Sequence, residues 1–195
     1  MAKRKYYVNG IDISPDMIQV AREKNSNLNF DVMDICAQST AQQYDMAMAM
    51  SHVVGYQLEN DMLYNFLANI NKSLKKDSIF IFNFYNGAAL SEYKLRPMEK
   101  VVRGDNVIIT RYSCAKNLLI NNELLLNYKY IIEDDDVSVI NIEERMRYFT
   151  CKEIDFALGI TGFEVIAMKN YLTEDVLDEN EWNGFCIAKK VRELI

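Results

Sequence analysis

The feature that most constrains the fold is a short segment, Gly10 to Ser14, that joins a predicted strand to a predicted helix. Residues Lys5 to Ile13 are predicted to form the strand, and Ser14-Pro15 starts the helix with serine as N-cap and proline at the first helical position. Asp12 then lies at the carboxyl end of the strand, where open α/β sheets bind ligands and where an acid accepts both ribose hydroxyls of a nucleoside. A solvated acid in a strand–helix turn fits this local pattern equally well.

The first half of the chain alternates short strands with amphipathic helices, which predicts a doubly wound, mostly parallel sheet in an α/β fold. After the first helix, which we expect to end near Lys24, the predicted elements are the strands Leu28–Val32 and Tyr44–Met50, the helix Asn60–Leu74 and the strand Ser78–Tyr85. The last strand is continuously apolar and aromatic, as expected of a strand that is buried on both faces.

The second half has a different pattern, with long strands followed by a helix and a strand pair. The three predicted strands are Val101–Ser113, Glu123–Glu133 and Val137–Phe149, which indicates an antiparallel sheet added to the α/β core. Thr150 and Glu153 form the capping box of a helix that ends near Gly159 or Gly162. Two further strands, Phe163–Lys169 and Gly184–Lys190, are predicted to form a closing pair.

Charge and composition exclude several classes of function. The 195 residues carry a net charge of -6, which argues against a nucleic-acid binder because such modules usually present a basic face. No apolar run approaches the roughly 20 residues that span a bilayer, so we expect no membrane partner and a cytoplasmic protein. One histidine and four scattered cysteines predict neither a metal site nor a disulfide framework. A small-molecule substrate is therefore the expected partner.

The segment from Gly10 to Ile18, Gly-Ile-Asp-Ile-Ser-Pro-Asp-Met-Ile, resembles the second motif of class I S-adenosylmethionine-dependent methyltransferases. The resemblance implies that Asp12 holds the ribose of the cofactor, with Ile13 beside it among the cofactor-binding residues. It places Met17 against the adenine ring, although a methionine on the inner face of the helix can equally be a core residue.

Two later segments resemble the third and fourth motifs of the same family. In Phe30 to Ile35 the resemblance implies that Asp34 meets the adenine amino group and that Ile35 flanks the ring. The strand and loop from Tyr44 to Tyr56 resemble the fourth motif, which carries contacts to cofactor and substrate, and Met50 is counted among the cofactor contacts. Each motif alone is weak, whereas their order and spacing along the chain are fairly specific.

His52 is the only histidine and follows the strand of the fourth motif directly. At that place it would face the transferred methyl group, where a neutral imidazole can remove a proton from a hydroxyl or ammonium. Because methyl transfer is an in-line displacement that depends largely on positioning, His52 can instead serve only to order the loop or line the pocket. Tyr56 is the second catalytic candidate, as a hydrogen-bond donor or proton relay, with a plain pocket wall as its alternative.

The position of the inserted sheet resembles that in aminosugar N-methyltransferases and in glycine and sarcosine methyltransferases. The resemblance implies a cofactor-binding core of residues 1–92 and 150–195, and an inserted sheet of residues 93–149 that contributes to the substrate pocket or to a homodimer. Tyr85, Arg145 and Arg147 are the candidate substrate-binding residues, since an arginine binds phosphate or carboxylate bidentately. For the two arginines, solvent exposure or pairing with Glu143 or Glu144 is the competing interpretation.

One part of the family pattern has no counterpart in the sequence. The glycine-rich turn after the first strand, which wraps the methionine end of the cofactor, is absent, and we expect either a late start or truncation at Met1 or a strand supplied by another chain. A non-catalytic partner subunit with the same fold is therefore an open alternative to the methyltransferase. A nicotinamide-dependent oxidoreductase also uses an acid after the second strand, but its sheet does not normally end in a hairpin after an inserted antiparallel sheet.

Overall fold

The computed structural model describes residues 6–92 and 96–194, and it contains three sheets and four α-helices within those ranges. The strands are β1 Asn9–Asp12, β2 Asn29–Val32, β3 Tyr44–Ala49, β4 Leu74–Tyr85, β5 Met98–Arg103, β6 Ile108–Leu118, β7 Glu123–Glu133, β8 Val137–Arg147, β9 Phe163–Asn170 and β10 Asn183–Lys190. The helices are α1 Pro15–Lys24, α2 Asn60–Lys72, α3 Gly87–Glu92 and α4 Cys151–Ile160. No helix in the described ranges is long and apolar enough to cross a membrane.

The α/β core consists of two separately hydrogen-bonded sheets. Strands β1 and β2 form a parallel pair, and β3, β4, β10 and β9 form a mixed sheet in that order, with β3 parallel and β10 antiparallel to β4. Phenylalanines at alternate positions of β4, namely Phe80, Phe82 and Phe84, are completely buried and pack with residues of α2 and α4 in the main hydrophobic core. The predicted fold class, an α/β core with an added antiparallel sheet, is confirmed.

Local hydrogen bonds explain where the two best-capped helices begin. The Ser14 hydroxyl accepts the backbone N–H of Met17 at the start of α1, and Pro15 takes the first helical position. At the start of α4, Thr150 Oγ1 accepts the N–H of Glu153 at 3.2 Å, and the Glu153 carboxylate accepts the N–H of Thr150 at 2.8 Å. The structure thus contains the capping box that the sequence predicts.

The added sheet has four strands instead of three. The predicted strand Val101–Ser113 is wrong, because the chain turns at Gly104 and returns, so that β5 and β6 pair antiparallel with Val101 opposite Thr110. The Gly104 N–H donates to the carbonyl of Val107 at 2.8 Å and closes the turn. The Gly-Asp-Asn sequence at 104–106 is a turn signal that the apolar residues on both sides obscure.

The facing edges of the two core sheets are not joined. Within the described residues β1 pairs only with β2, and β3 pairs only with β4. The contact between the rings of Tyr7 and Tyr44, with centroids 6.4 Å apart, links the chain before β1 to the start of β3. On β3, Met46 and Met48 are exposed on the face opposite to the buried Ala49. The sheet therefore has a one-sided core, with its helices α2 and α4 on the face that buries the phenylalanines.

Candidate active site

The sharpest structural feature at the carboxyl end of the mixed sheet is the turn after β3. Ser51 and His52 both have positive φ angles, 61° and 60°, in the left-handed region that side chains other than glycine rarely adopt. The turn is held because the backbone N–H of His52 donates to Asn83 Oδ1 on β4 at 3.0 Å. Strained residues of this kind cluster at functional sites, where the surrounding structure over-determines them.

Three rings are stacked above this turn. The His52 imidazole lies on the Tyr85 ring with centroids 4.0 Å apart and planes 9° from parallel. Tyr85 stacks in turn on Trp182, the only tryptophan of the chain, at 5.4 Å and 20°. The register explains this convergence, because Asn183, the residue after Trp182, pairs with Tyr85 across β10 and β4. Trp182 and Asn183 were missed by sequence reasoning, although a lone tryptophan beside a predicted closing strand was a usable signal.

Burial sets the protonation states in this stack. It lowers the pKa of His52 below the ordinary value of 6.5, and the hydrogen bond with Asn183 opposes part of that shift. Burial also raises the pKa of Tyr85 to about 12, with smaller contributions from Tyr128, Tyr56 and Glu144. At neutral pH the imidazole is therefore a free base and the phenol keeps its proton.

The added sheet contributes polar groups to the same region. Tyr56 lies at the end of a short 3-10 turn, Val53–Tyr56, and burial followed by the charge of Glu144 on β8 raises its pKa. Tyr128 on β7 shows the same two leading causes for its raised pKa. Tyr85 belongs to a second hydrophobic cluster that it shares with residues of β7 and β8, and Tyr128 packs partly against it. The predicted residues His52, Tyr56 and Tyr85 are thus brought into one region.

The predicted nucleoside-binding residues lie at the ends of the other sheet. Asp12 Oδ1 accepts the backbone N–H of Ser14 at 2.8 Å, and no described residue hydrogen-bonds its second carboxylate oxygen. Ile13, the next residue, and Met17, in the first turn of α1, are both exposed. Met17 is therefore not a core residue within the described part of the chain. A carboxylate with one anchored and one free oxygen at the end of a strand can accept the hydroxyls of a ribose.

Asp34 is next to Asp12 because the chain continues β2 beyond the sheet. The backbone N–H of Met33 donates to the carbonyl of Asp12 at 2.9 Å, which places the two acids on neighbouring strand ends. Asp34 Oδ1 accepts the N–H of Cys36 at 2.8 Å. The following residue, Ile35, is half-buried against the main core, and its carbonyl accepts the side-chain amide of Asn69 on α2.

Met50 is half-buried at the end of β3, one residue before the strained turn. It lies in the chain between the β3 strand and His52 and is the predicted cofactor residue nearest in sequence to the ring stack. No hydrogen bond or ring contact among the described residues connects the Asp12 group to the His52 group.

The two arginines have different surroundings. Arg145 is paired with Glu123 on the neighbouring strand at 3.5 Å, and about half of its side chain is exposed. Arg147 is nearly buried, donates to Asn60 Oδ1 at 2.9 Å and lies 3.6 Å from Glu153. The Arg147 charge therefore holds β8 against the starts of α2 and α4, whereas Arg145 keeps exposed surface for a ligand.

A cavity of about 590 Å³ lies elsewhere, between the first sheet and residues 38–44. Its lining includes Asn9, Asp31 and Tyr44, and none of the predicted site residues. The candidate site therefore rests on the residues at the strand ends and not on this cavity.

Comparisons with known proteins concern the fold and the first part of the chain. Residues 1–77 match the model of the methyltransferase domain family. A S-adenosylmethionine-dependent methyltransferase from Clostridium acetobutylicum superposes with a TM-score of 0.82 at 14% identity, over 96% of this chain and 76% of that one. An amino pentose methyltransferase from Micromonospora echinaspora, solved with S-adenosylmethionine bound, gives 0.77 at 14% identity over 95% and 74%.

A sugar N-methyltransferase from Streptoalloteichus gives a TM-score of 0.80 at 13% identity, over 94% of this chain and 71% of that one. No curated protein matches the sequence significantly. At these identities the solved structures establish the fold, and the matched domain is consistent with it. Residues 1–77 therefore match the methyltransferase domain family, and the chain has the fold of class I S-adenosylmethionine-dependent methyltransferases.

Proposed function

We propose that the chain transfers a methyl group from S-adenosylmethionine to a nitrogen or oxygen atom of a small polar metabolite, with nucleotide-linked sugars as the substrate class. The observation that carries the proposal is the half-buried His52, whose pKa burial lowers, in a ring stack after β3, together with the free carboxylate oxygen of Asp12 at the end of β1. The sugar methyltransferases among the structural neighbours support the substrate class.

The residues at the ends of β1 and β2 fit the nucleoside half of the cofactor. Asp12 would bind the ribose hydroxyls through its free oxygen, with Ile13 beside it, and Met17 would pack against the adenine ring. Asp34 would meet the adenine amino group and Ile35 would flank the ring. Met50 would close the pocket on the β3 side. The cofactor supplies an electrophilic methyl group on a sulfonium.

The stacked rings of His52 and Tyr85 would bind the molecule that accepts the methyl group. When bound, the cofactor would supply its methyl group to the lone pair of the acceptor atom, and the His52 imidazole would accept the proton that the acceptor loses. Tyr56 and Tyr85 keep their protons at neutral pH, since their pKa values are raised, and they would donate hydrogen bonds to the acceptor molecule. Arg145, with half of its side chain exposed, would bind a phosphate or carboxylate of the substrate.

A second candidate function is that of a non-catalytic partner subunit with the same fold. The observation that favours it is that β1 and β3 are not hydrogen-bonded to each other within the described residues, and no described residues form a strand between them. For the added sheet we propose a contribution to the substrate pocket, with homodimer contacts as the alternative use of the same surface.

Isothermal titration calorimetry with S-adenosylmethionine and with its demethylated product tests the proposal. We expect Asp12→Ala to weaken binding by about 1–3 kcal/mol, the cost of losing charge-assisted hydrogen bonds. Asp16→Ala is the matched control, because Asp16 is an exposed acid in the first turn of α1 and should leave the affinity unchanged. Absence of both heat and a thermal shift with the native chain would instead support the partner subunit.

A further inference from the structure

A chain of hydrogen bonds connects the His52 backbone to the His52 ring through two asparagines. The backbone N–H of His52 donates to Asn83 Oδ1 at 3.0 Å, Asn83 Nδ2 donates to Asn183 Oδ1 at 3.2 Å, and His52 Nε2 lies 3.0 Å from the same Asn183 oxygen. Asn83 is buried, whereas His52 and Asn183 are half-buried. Strand register keeps the two asparagines on one face, since Asn183 pairs with Tyr85 two residues along β4 from Asn83.

The donor and acceptor of each of these three hydrogen bonds follow from the first donor, the backbone N–H of His52. A backbone N–H can only donate, so Asn83 must turn its oxygen to His52 and its NH₂ group to Asn183. Asn183 must then present its oxygen, because two facing NH₂ groups would leave a donor without an acceptor. An oxygen beside His52 Nε2 requires that this nitrogen carry the proton. We infer that Asn83 and Asn183 are positioning residues that hold His52 in the Nε2–H tautomer, so that Nδ1 is the atom that accepts the proton of the methyl acceptor.

The surroundings of the ring agree with this assignment. No described residue hydrogen-bonds His52 Nδ1, and this nitrogen is not among the buried unpaired side-chain atoms of the described chain, so it faces accessible space. Stacking on Tyr85 at 4.0 Å prevents the ring from tilting, and a 180° rotation about the Cβ–Cγ bond would put Cε1 in the place of Nε2 and break the bond to Asn183. The role of Nδ1 as proton acceptor rests on the proposed function, whereas the tautomer itself does not.

The tautomer can be measured directly because the chain has one histidine. In a long-range ¹H–¹⁵N correlation spectrum of the ¹⁵N-labelled protein, recorded above the pKa of His52, we expect a protonated nitrogen at Nε2 and an unprotonated one at Nδ1. The preference should exceed about tenfold, since the opposite tautomer leaves two lone pairs facing each other. A protonated Nδ1, or two averaged shifts, would overturn the inference without any variant.

Two isosteric variants test whether the hydrogen bonds from the His52 N–H through Asn83 and Asn183 to His52 Nε2, called the relay below, set the tautomer, or whether an added negative charge alone changes it. Asn83→Asp still accepts the His52 N–H but has no proton for Asn183, so Asn183 should turn its NH₂ group to both neighbours and the proton should move to Nδ1. Asn183→Asp adds the same charge but still accepts from Asn83 and from Nε2–H, so the tautomer should be retained. The same tautomer in both variants would contradict the relay.

Measurements of kcat test the proposed function separately from the tautomer. If Nδ1 is the base, Asn83→Asp should lower kcat about 10²-fold, the contribution of a positioned general base, and Asn183→Asp should lower it less. An inverted tautomer with unchanged turnover would leave the relay intact and would refute the proposed role of His52. A retained tautomer in Asn83→Asp would refute the relay whatever the turnover.

Discussion

Lys190 is completely buried at the end of β10, and its ammonium group connects β10 to the end of α2 and the start of β4. Its Nζ donates to the backbone carbonyls of Asn71 at 2.8 Å and Leu74 at 2.6 Å, and to Glu193 at 2.8 Å. Lys190→Met keeps most of the aliphatic stem and removes the charge together with all three hydrogen bonds. We therefore expect it to test the hydrogen bonds with little change in packing.

The magnitude follows from the two carbonyls. A hydrogen bond to a charged group contributes about 1.5–3 kcal/mol, and a buried acceptor that loses its partner costs a comparable amount, so the loss for two carbonyls is about 3–5 kcal/mol. Glu193 adds little, because its side chain is 58% exposed and water screens the pair. Lys190→Met should thus remove a large part of the stability of a domain of this size.

Urea unfolding followed by circular dichroism measures this loss, provided that the dependence on denaturant stays constant between variants. Lys189→Met is the matched control on the preceding residue, where the lysine pairs with the exposed Asp77, and it should leave the free energy of unfolding nearly unchanged. A difference between the two variants smaller than about 1 kcal/mol, the size of one neutral hydrogen bond, would refute the reasoning.

Three further predictions concern backbone strain, pH and helix capping. Gly162 has a φ of 84°, and an added Cβ would lie 2.7 Å from a backbone carbonyl oxygen, so Gly162→Ala should cost about 1–3 kcal/mol in urea unfolding. Gly159→Ala, in open space within α4, should instead gain about 0.5–1 kcal/mol, and a loss there would contradict the account. Because burial lowers the pKa of His52, the unfolded chain takes up the proton at a higher pH than the folded chain. The neutral imidazole therefore stabilises the fold above pH 6.5, and this stabilisation is lost as the pH falls through the folded-state pKa. His52→Gln should remove this pH dependence from the free energy of unfolding. Thr150→Ala should lower the free energy of unfolding by about 1 kcal/mol. The same substitution should cost less in a chain that already carries Glu153→Ala, since the two residues form one capping box.

Local signals in the sequence account for much of the core. The Ser14-Pro15 helix start and the Thr150 capping box depend only on residues within one helical turn, and both are present in the structure. The alternation of strands and helices in the first half is likewise a local pattern, and it predicted the α/β class. The strand predicted over Val101–Ser113 was wrong because a four-residue turn, residues 104–107, separates two segments that each form a strand.

The ring stack could not be predicted because it depends on pairing between distant segments. His52 and Asn183 are separated by 131 positions in the chain, and only the register of β10 against β4 brings Asn183 and Trp182 beside Tyr85. Arg147 shows the same limitation in reverse. Its residue type and its position at the end of β8 predicted contact with a substrate, whereas in the structure its guanidinium contacts Asn60 and Glu153, which lie on two other elements.

The separation of β1 and β2 from the mixed sheet has a consequence for how tightly a nucleoside binds. Between residues 6 and 32, the segment that contains Asp12, only Ile18 is buried. Little apolar contact therefore holds this segment in its folded, binding-competent arrangement, which is called closed below. If that unit opens locally without the rest of the chain, the apparent dissociation constant equals the intrinsic one divided by the closed fraction. Substitutions far from Asp12 that favour closure would then tighten binding without touching the ligand.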